Sequence, residues 1–236
     1  MGPGGNATFF EDYSPEELLG PLNEVERKHA PPRLFAAGHT EFLAAGARVS
    51  LVGSRRASKR GLDHAWALSE RLSGEGVVIV SGLAEGIDTA AHEAAIGAKG
   101  RTTAVIGTPL DEFYPAKNRG LQTLIMREHL CLSQFPVGAP TQRGNFPLRN
   151  RTMALISDAT VIVEAGEKSG SLHQGWEALR LGRPLFLFET IVADPSLSWP
   201  KEMLRYGAQV MRLGALDFVF EFLPERSGEE SAAMPF

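Results

Sequence analysis

Three short stretches combine glycine, a hydroxyl and, in two of them, a cation, a combination suited to a bound phosphate. They are Gly53-Ser54-Arg55-Arg56, Ser81-Gly82-Leu83-Ala84-Glu85-Gly86 and Gly166-Glu167-Lys168-Ser169-Gly170-Ser171. Glycine lets backbone come close to a ligand, and a helix that follows supplies free N–H groups and the positive end of its dipole. Serine adds a hydroxyl donor. Arg55 and Lys168 add charge, the arginine as a planar fork matched to phosphate oxygens. Alone, each turn also reads as a tight turn with a helix cap. Together they point to an anion site made of Gly53, Ser54, Arg55, Arg56, Ser81, Gly82 and the run Lys168, Ser169, Gly170, Ser171.

A fourth element is "FPLRNRTMALISD", in which Arg149 and Arg151 flank Asn150 at the start of a predicted helix. Cations oppose the dipole there. They read either as surface residues paired with carboxylates such as Glu164, or as further contacts to the anion. Phe146 beside them reads either as a core residue or as a ring on which a base stacks.

Other chemistry is thinly supported. There is no G-x-x-x-x-G-K-[ST], and no G-x-G-x-x-G follows the first strand, so neither ATP nor NAD has a motif and no cofactor is expected. Asp88 and His92 lie four apart on a predicted helix, on one face. They read as an internal Asp–His hydrogen bond rather than a metal pair, because no third ligand has suitable spacing. No metal and no catalytic residue is expected. The one cysteine, Cys131, excludes an intrachain disulfide and reads as a buried apolar residue.

Placing the three turns on one edge requires strands before them and helices after them, and the chain has that rhythm from about residue 48. "RVSLVG", "VVIVSG", "TTAVIG", "LCLSQF", "TVIVEAG" and "PLFLFE" read as buried strands. "SKRGLDHAWALSERLSGEG", "EGIDTAAHEAAIGAKG", "KNRGLQTLIMREH", "FPLRNRTMALISD" and "SLHQGWEALRLG" read as helices, and "WPKEMLRYG" as a last one before "AQVMRL" and "ALDFVFEFL". Strands apolar throughout, alternating with helices, predict an α/β fold with a doubly wound, mostly parallel sheet, an extended Rossmann-like domain. Ligands of such sheets sit beyond the carboxyl ends of the strands, where the three turns fall.

The expected domain spans residues 46–222. Residues 1–45 read as a short helical lead-in: Ser14 as N-cap, Pro15 at the first helical position, Glu17 closing a capping box, a break at Gly20-Pro21 and an end at Pro31-Pro32. Residues 223–236, acidic and rich in small residues, read as a disordered tail.

The 236 residues carry a net charge of −4, which argues against a polyanion until its distribution is seen. Residues 1–45 hold 3 Lys/Arg against 7 Asp/Glu, residues 46–186 hold 17 against 13, and residues 187–236 hold 4 against 8. The middle is mildly basic between acidic ends, and the local charge decides where a polyanion sits. No apolar run is long enough for a membrane span, and the N-terminus lacks a secretory pattern. Met-Gly is followed at position 6 by Asn6 rather than Ser or Thr, so myristoylation is not expected. The expected location is the cytoplasm.

Taken together, "LVGSRRAS", "VVIVSGLAEGIDTAAHEAAIGAKG", "TTAVIGTPLDEFYPAKNRGL", "FPLRNRTMALISDATVIVEAGEKSGSL" and "EALRLGRPLF" resemble the DprA/Smf family of DNA-processing proteins, from about Leu34 to about Phe188. The resemblance implies an extended Rossmann fold that binds single-stranded DNA without cutting it. It implies protection of incoming DNA during natural transformation, hand-over to the RecA recombinase, and a homodimer. It also implies that Gly53, Ser54 and Arg55 form the phosphate-binding turn, with Lys168 to Ser171 as its partner across the sheet edge. The chain departs from the family pattern at Ser133-Gln134-Phe135-Pro136, at His173-Gln174-Gly175-Trp176 and at "LFLFETIVADPS". A C-terminal winged helix is not expected, and the N-terminal helical module is reduced. "VMRLGALDFVF" reads as a dimer surface or as a segment packed within the domain.

The rival reading is a nucleotide-binding or nucleotide-hydrolysing enzyme, by likeness to the lysine-decarboxylase-like phosphoribohydrolases with P-G-G-x-G-T-x-x-E. Its glutamate position falls on Gln174, which cannot act as a general base. Glu164 and Glu167 remain as nearby carboxylates, Glu164 also reading as a helix cap.

Overall fold

The computed structural model describes residues 10–224. The tail expected at residues 223–236 therefore lies, from residue 225 on, outside the described residues. Among the described residues nine strands are present: β1 (Glu11–Tyr13), β2 (Leu34–Gly38), β3 (Arg48–Gly53), β4 (Val78–Ser81), β5 (Thr102–Ile106), β6 (Leu130–Ser133), β7 (Ala159–Glu164), β8 (Leu185–Phe188) and β9 (Gln209–Met211). The helices are α1 (Pro15–Leu19), α2 (Glu24–His29), α3 (Lys59–Gly74), α4 (Ile87–Gly97), α5 (Arg119–Glu128), α6 (Asn145–Ile156), α7 (Ser171–Arg180), α8 (Glu189–Val192) and α9 (Trp199–Arg205).

The sheet runs β1-β2-β6-β5-β4-β3-β7-β8-β9. From β6 to β9 every pairing is parallel, while β2 joins β6 and β1 joins β2 antiparallel at one edge. Sequence order climbs away from the β3/β7 line in both directions, to β6 on one side and β9 on the other. The helices leaving β3 and β7 therefore pack on opposite faces, and a crevice opens between the turns that lead into them. That crevice is where the first and third glycine turns emerge.

The central strands are apolar because both faces are covered: Val49, Leu51, Val78, Ile79, Val80, Val161, Ile162 and Val163 are all buried. α3 and α4 cover one face, with Ala65, Leu68, Leu72, Ala91 and Ala95 turned inward. Small residues on α4 bring the two helices close. α6 and α7 cover the other side of the β3/β7 line.

The lead-in is more than helical. α1 begins at the expected capping box of Ser14 and Glu17, and Gly20 ends it with φ +79°. A second capping box, Asn23 with Glu26, starts α2. On either side the chain contributes β1 and β2, with Phe35 opposite Ser133 and Ala37 opposite Cys131. The five residues of "LFAAG" are too few to declare a strand by periodicity, and pairing with β6 decides their conformation. At the other end, "VMRLGALDFVF" supplies β9 and a 3-10 stretch over Leu213–Phe222. It packs within the domain: Phe218 and Phe222 meet Phe186 of β8 edge-on at 6.0 and 5.3 Å, and Val219 is fully buried.

The Asp88–His92 hydrogen bond expected from the four-residue spacing does not form. Asp88 sits in the first turn of α4, where its carboxylate accepts the Ala84 N–H at 3.3 Å. His92, a turn further in, is fully buried with Nδ1 2.7 Å from the Thr102 hydroxyl. Burial is the largest influence on His92, and with nearby His129 it lowers the ring from 6.5 to about 3. The unfolded chain therefore binds a proton at His92 between about pH 6.5 and 3 that the native ring refuses. As pH falls through that window the group destabilises the fold, by about 1.4 kcal/mol per unit. Asp88, raised by burial, acts in the opposite sense, so the effect is read as a difference. Urea unfolding of wild type and His92→Gln from pH 7 to 4 is expected to give a shallower loss for the variant. Parallel curves would refute it.

Candidate functional site

A cleft of about 440 Å³ opens at the carboxyl ends of β3 and β7. Gly53, Ser54, Arg55 and Arg56 line it from the β3–α3 turn, and Lys168, Ser169, Gly170 and Ser171 line it from the β7–α7 turn. Arg55 and Lys168 thus face one cavity, and the first turn of α7, with Ser171 and His173, opens on it. Arg55, Arg56 and Lys168 are exposed. Among the described residues none of the three forms an ion pair. Three unpaired cations around a concave site leave a positive potential there.

The two turns are tied together by backbone. Ser54 N–H donates to the Glu164 carbonyl at 2.7 Å. A Cβ at Gly53 would stand 2.6 Å from Ile87 Cγ1 and 2.7 Å from that same carbonyl, so only glycine fits. Ser58 caps α3, its hydroxyl accepting the Gly61 N–H at 3.0 Å. The Glu164 carboxylate in turn receives the Ser58 N–H at 2.9 Å and the Ser58 hydroxyl. Glu164 is therefore the helix-cap partner that its position at a strand end suggested, not a free base. Glu167 is likewise engaged, by the Ser198 N–H at 3.1 Å and the Ser198 hydroxyl. Gln174 is fully buried beneath the cleft.

Gly166 and Gly170 tell a different story from Gly53. Neither has positive φ, and a Cβ at either would meet no protein atom within 4 Å. The fold does not demand glycine there, yet both line the cleft. Their bare backbone leaves room for something outside the chain to come close. The Ser169 and Ser171 hydroxyls lie 2.7 Å apart beside them.

The second turn stands beneath rather than beside the site. Ser81 is fully buried and its hydroxyl donates to the Leu51 carbonyl at 2.6 Å, so it does not line the cleft. Gly82 borders a smaller adjoining pocket of about 50 Å³ with Tyr114, Phe146 and Arg149. Of that turn, Ala84 reaches the main cleft, together with Asp88 at the start of α4.

α6 separates the two arginines that the sequence left level. Two residues along a helix are about 200° apart around its axis. Arg149 points inward and is 5% exposed, at the cleft wall. Arg151 points the other way and pairs with Glu177 of α7 at 3.2 Å, so it is not a cleft residue. Arg149 is buried against Asp88: burial lowers the pKa of the arginine and raises that of the aspartate, while each charge opposes the shift of the other. Phe146 is no core residue. It forms a wall of both pockets, with the Arg55 guanidinium 5.5 Å above its ring and Tyr114 5.4 Å away.

Sequence reasoning did not assign Asn150, Asp88 or His173 to the cleft, which they also line. Asn150 had a signal, since it sits between the two arginines. His173 had only its place in the first turn of α7. Among the described residues no cluster of three or more His, Cys, Asp or Glu is placed to hold a metal, and no helix is long and apolar enough to cross a membrane. Burial holds the Cys131 thiol above its ordinary range. What the cleft offers a ligand is a set of N–H donors, hydroxyls, cations and one aromatic wall.

The family model for DNA recombination-mediator protein A matches residues 7–223. The DNA processing protein DprA of Bacillus subtilis is 36% identical over 197 residues, covering 84% of this chain and 66% of that protein, so the chain spans just under two thirds of that relative's length. The X-ray structure of DNA processing protein A from Streptococcus pneumoniae superposes with a TM-score of 0.78 at 35% identity, covering 92% of this chain and 75% of that one. A structure of DNA processing protein A from Helicobacter pylori, described as giving insight into that protein's unique single-stranded DNA binding mode, superposes with a TM-score of 0.76 at 27% identity. It covers 92% of this chain and 99% of that one. With a match running nearly the whole length of the described fold, the chain belongs to the DNA recombination-mediator protein A family, the DprA/Smf family that its motifs resemble.

Proposed function

We propose that this chain is a DNA-processing protein that binds single-stranded DNA through its phosphates in the β3/β7 cleft and does no chemistry on it. The observation that carries the reading is the convergence of Arg55, Arg56 and Lys168, unpaired with carboxylates among the described residues, on one cleft at the N-terminus of α7. The H. pylori relative, described as binding single-stranded DNA, supports it. Gly53, Ser54, Ser169, Gly170 and Ser171 supply backbone and hydroxyl donors; Phe146 offers a ring beside the phosphate path. Glu164 and Glu167 are engaged in holding the fold, so neither stands free as the base that a nucleotide hydrolase would need at that position. Hand-over of the strand to RecA and action as a homodimer belong to the same proposal and rest on family membership.

The test is an electrophoretic shift with single-stranded DNA, duplex DNA and a mononucleotide competitor. A single strand loses affinity with a log–log salt slope of about −0.7 per neutralised phosphate, so roughly four contacts predict a fall of tens of fold between ~50 and ~200 mM salt. A mononucleotide that competes as well as the oligomer, or appears as cleaved product, would favour the enzyme instead.

A further inference from the structure

We propose that Arg149 and Asn150 are positioning residues: a buried relay that holds the loops after β4 and β7 in register, and makes no contact with the bound strand. The proposal rests on the cleft being the DNA site, but its geometry stands on its own.

Two of the three guanidinium nitrogens of Arg149 are already committed. Nη1 donates to the Gly82 carbonyl and, at 2.7 Å, to the Val105 carbonyl, while Nε donates to Asn150 Oδ1 at 2.9 Å. One side chain thereby joins the ends of β4 and β5 to α6. Gly82 is shaped to admit it, since a Cβ there would collide with the guanidinium. The charge of Asp88 opposes the lowering that burial imposes on Arg149, and its carboxylate fixes the same loop from the other side through the Ala84 N–H.

Asn150 carries the link onward. Because Oδ1 accepts from Arg149, its amide nitrogen is left to donate, and it reaches the Gly170 carbonyl at 3.0 Å. In a trans peptide the C=O of Gly170 and the N–H of Ser171 point in opposite directions. Holding the carbonyl against α6 turns the Ser171 N–H away from α6, where its partner is Ser169 Oγ at a long 3.4 Å. A phosphate oxygen can replace a bond that weak. The relay thus runs from the Gly82 carbonyl through Arg149 and Asn150 to the first N–H of α7.

The experiment compares Asn150→Ala and Arg149→Lys with wild type in two ways: affinity for a single-stranded oligonucleotide across a salt series, and amide hydrogen exchange of the free protein. Asn150→Ala is expected to bind about tenfold more weakly with the salt slope unchanged, because a contact is misplaced but no phosphate-neutralising charge is removed. Exchange is expected to quicken at residues 166–171 in both variants, and at residues 82–86 in Arg149→Lys. A slope shallower by about 0.7 in Arg149→Met, which removes the charge that Arg149→Lys keeps, would make Arg149 a phosphate contact and overturn the proposal. So would unchanged exchange at residues 166–171 in Asn150→Ala, which carries this arm alone if Arg149→Lys does not fold. If the wild type fails to bind the oligonucleotide, the DNA reading falls, while the exchange data still decide whether the relay exists.

Discussion

Alanine at both Arg55 and Lys168 is expected to lower affinity for an unstructured single-stranded oligonucleotide about a hundredfold at low salt, and either change alone about tenfold. A charge-assisted hydrogen bond to a phosphate is worth about 1.5–3 kcal/mol, and ~1.4 kcal/mol is one decade. The two residues come from different turns but face the same cleft, so their losses should add unless one cation takes over the phosphate of the other. Each substitution should also make the log–log salt slope shallower by about 0.7. Both side chains are exposed and neither holds an ion pair among the described residues, so the unfolding midpoint should move little. Arg55 has a second role through its place over Phe146, which adds about 0.5–1 kcal/mol to its own loss if the pair is preorganised for a base. Fluorescence anisotropy across a salt series measures both quantities. Wild-type affinity in the double variant would remove the cleft as the DNA site, and weakened binding that is equally salt-dependent would mean that these cations do not neutralise phosphate.

The parts of this architecture that repeat a local pattern could be read from the sequence. Strands such as Val78–Ser81 and Ala159–Glu164 are buried on both faces, and continuous apolar runs say so without any tertiary information. The turns after β3 and β7 were legible as turns at strand ends from their glycine and serine, although each alone reads equally as a tight turn with a helix cap. What stayed hidden depends on neighbours distant in the chain. β2 exists because β6 offers it an antiparallel edge, and five residues of "LFAAG" do not announce that. Ser81 carries the same local signal as Ser54 but spends its hydroxyl on the Leu51 carbonyl, a bond that exists only once β4 lies beside β3. Arg149 and Arg151 look alike in sequence, and only the orientation of α6 sends one to the cleft and the other to Glu177. Asp88 and His92 show the limit from another direction. A correct inference that they share a helix face said nothing about which partner each would choose, and loop amides and Thr102 outcompeted their mutual bond.

Two glycines of the cleft region should separate what the fold needs from what the ligand needs. Gly86 has φ +76° and ψ −121°, a conformation essentially closed to residues with a side chain and costing them about 1–3 kcal/mol. A Cβ there would also press into the Ser54 carbonyl and stand 2.9 Å from the backbone of Arg55. Those atoms are backbone and cannot rotate away, so the loop after β4 must retreat from the turn after β3. That retreat breaks the Ile87 N–H bond to the Ser54 carbonyl, which measures 3.2 Å. Gly86→Ala is therefore expected to cost about 3 kcal/mol or more of stability, by combined strain and lost bonding, and to weaken binding through the displaced Arg55. Gly166→Ala should do the reverse. Its φ is not positive and no protein atom lies within 4 Å, so stability should hold or rise by about 0.4–1 kcal/mol as the unfolded chain loses freedom. Yet a methyl there stands in the cleft, and if a phosphate rests against that bare backbone its affinity should fall about tenfold. Urea midpoints and oligonucleotide affinities of the two variants, measured side by side, test the division. Full affinity in Gly166→Ala would mean that the strand runs elsewhere along the cleft, and an unshifted midpoint in Gly86→Ala would mean that the two loops are not locked together as their geometry requires.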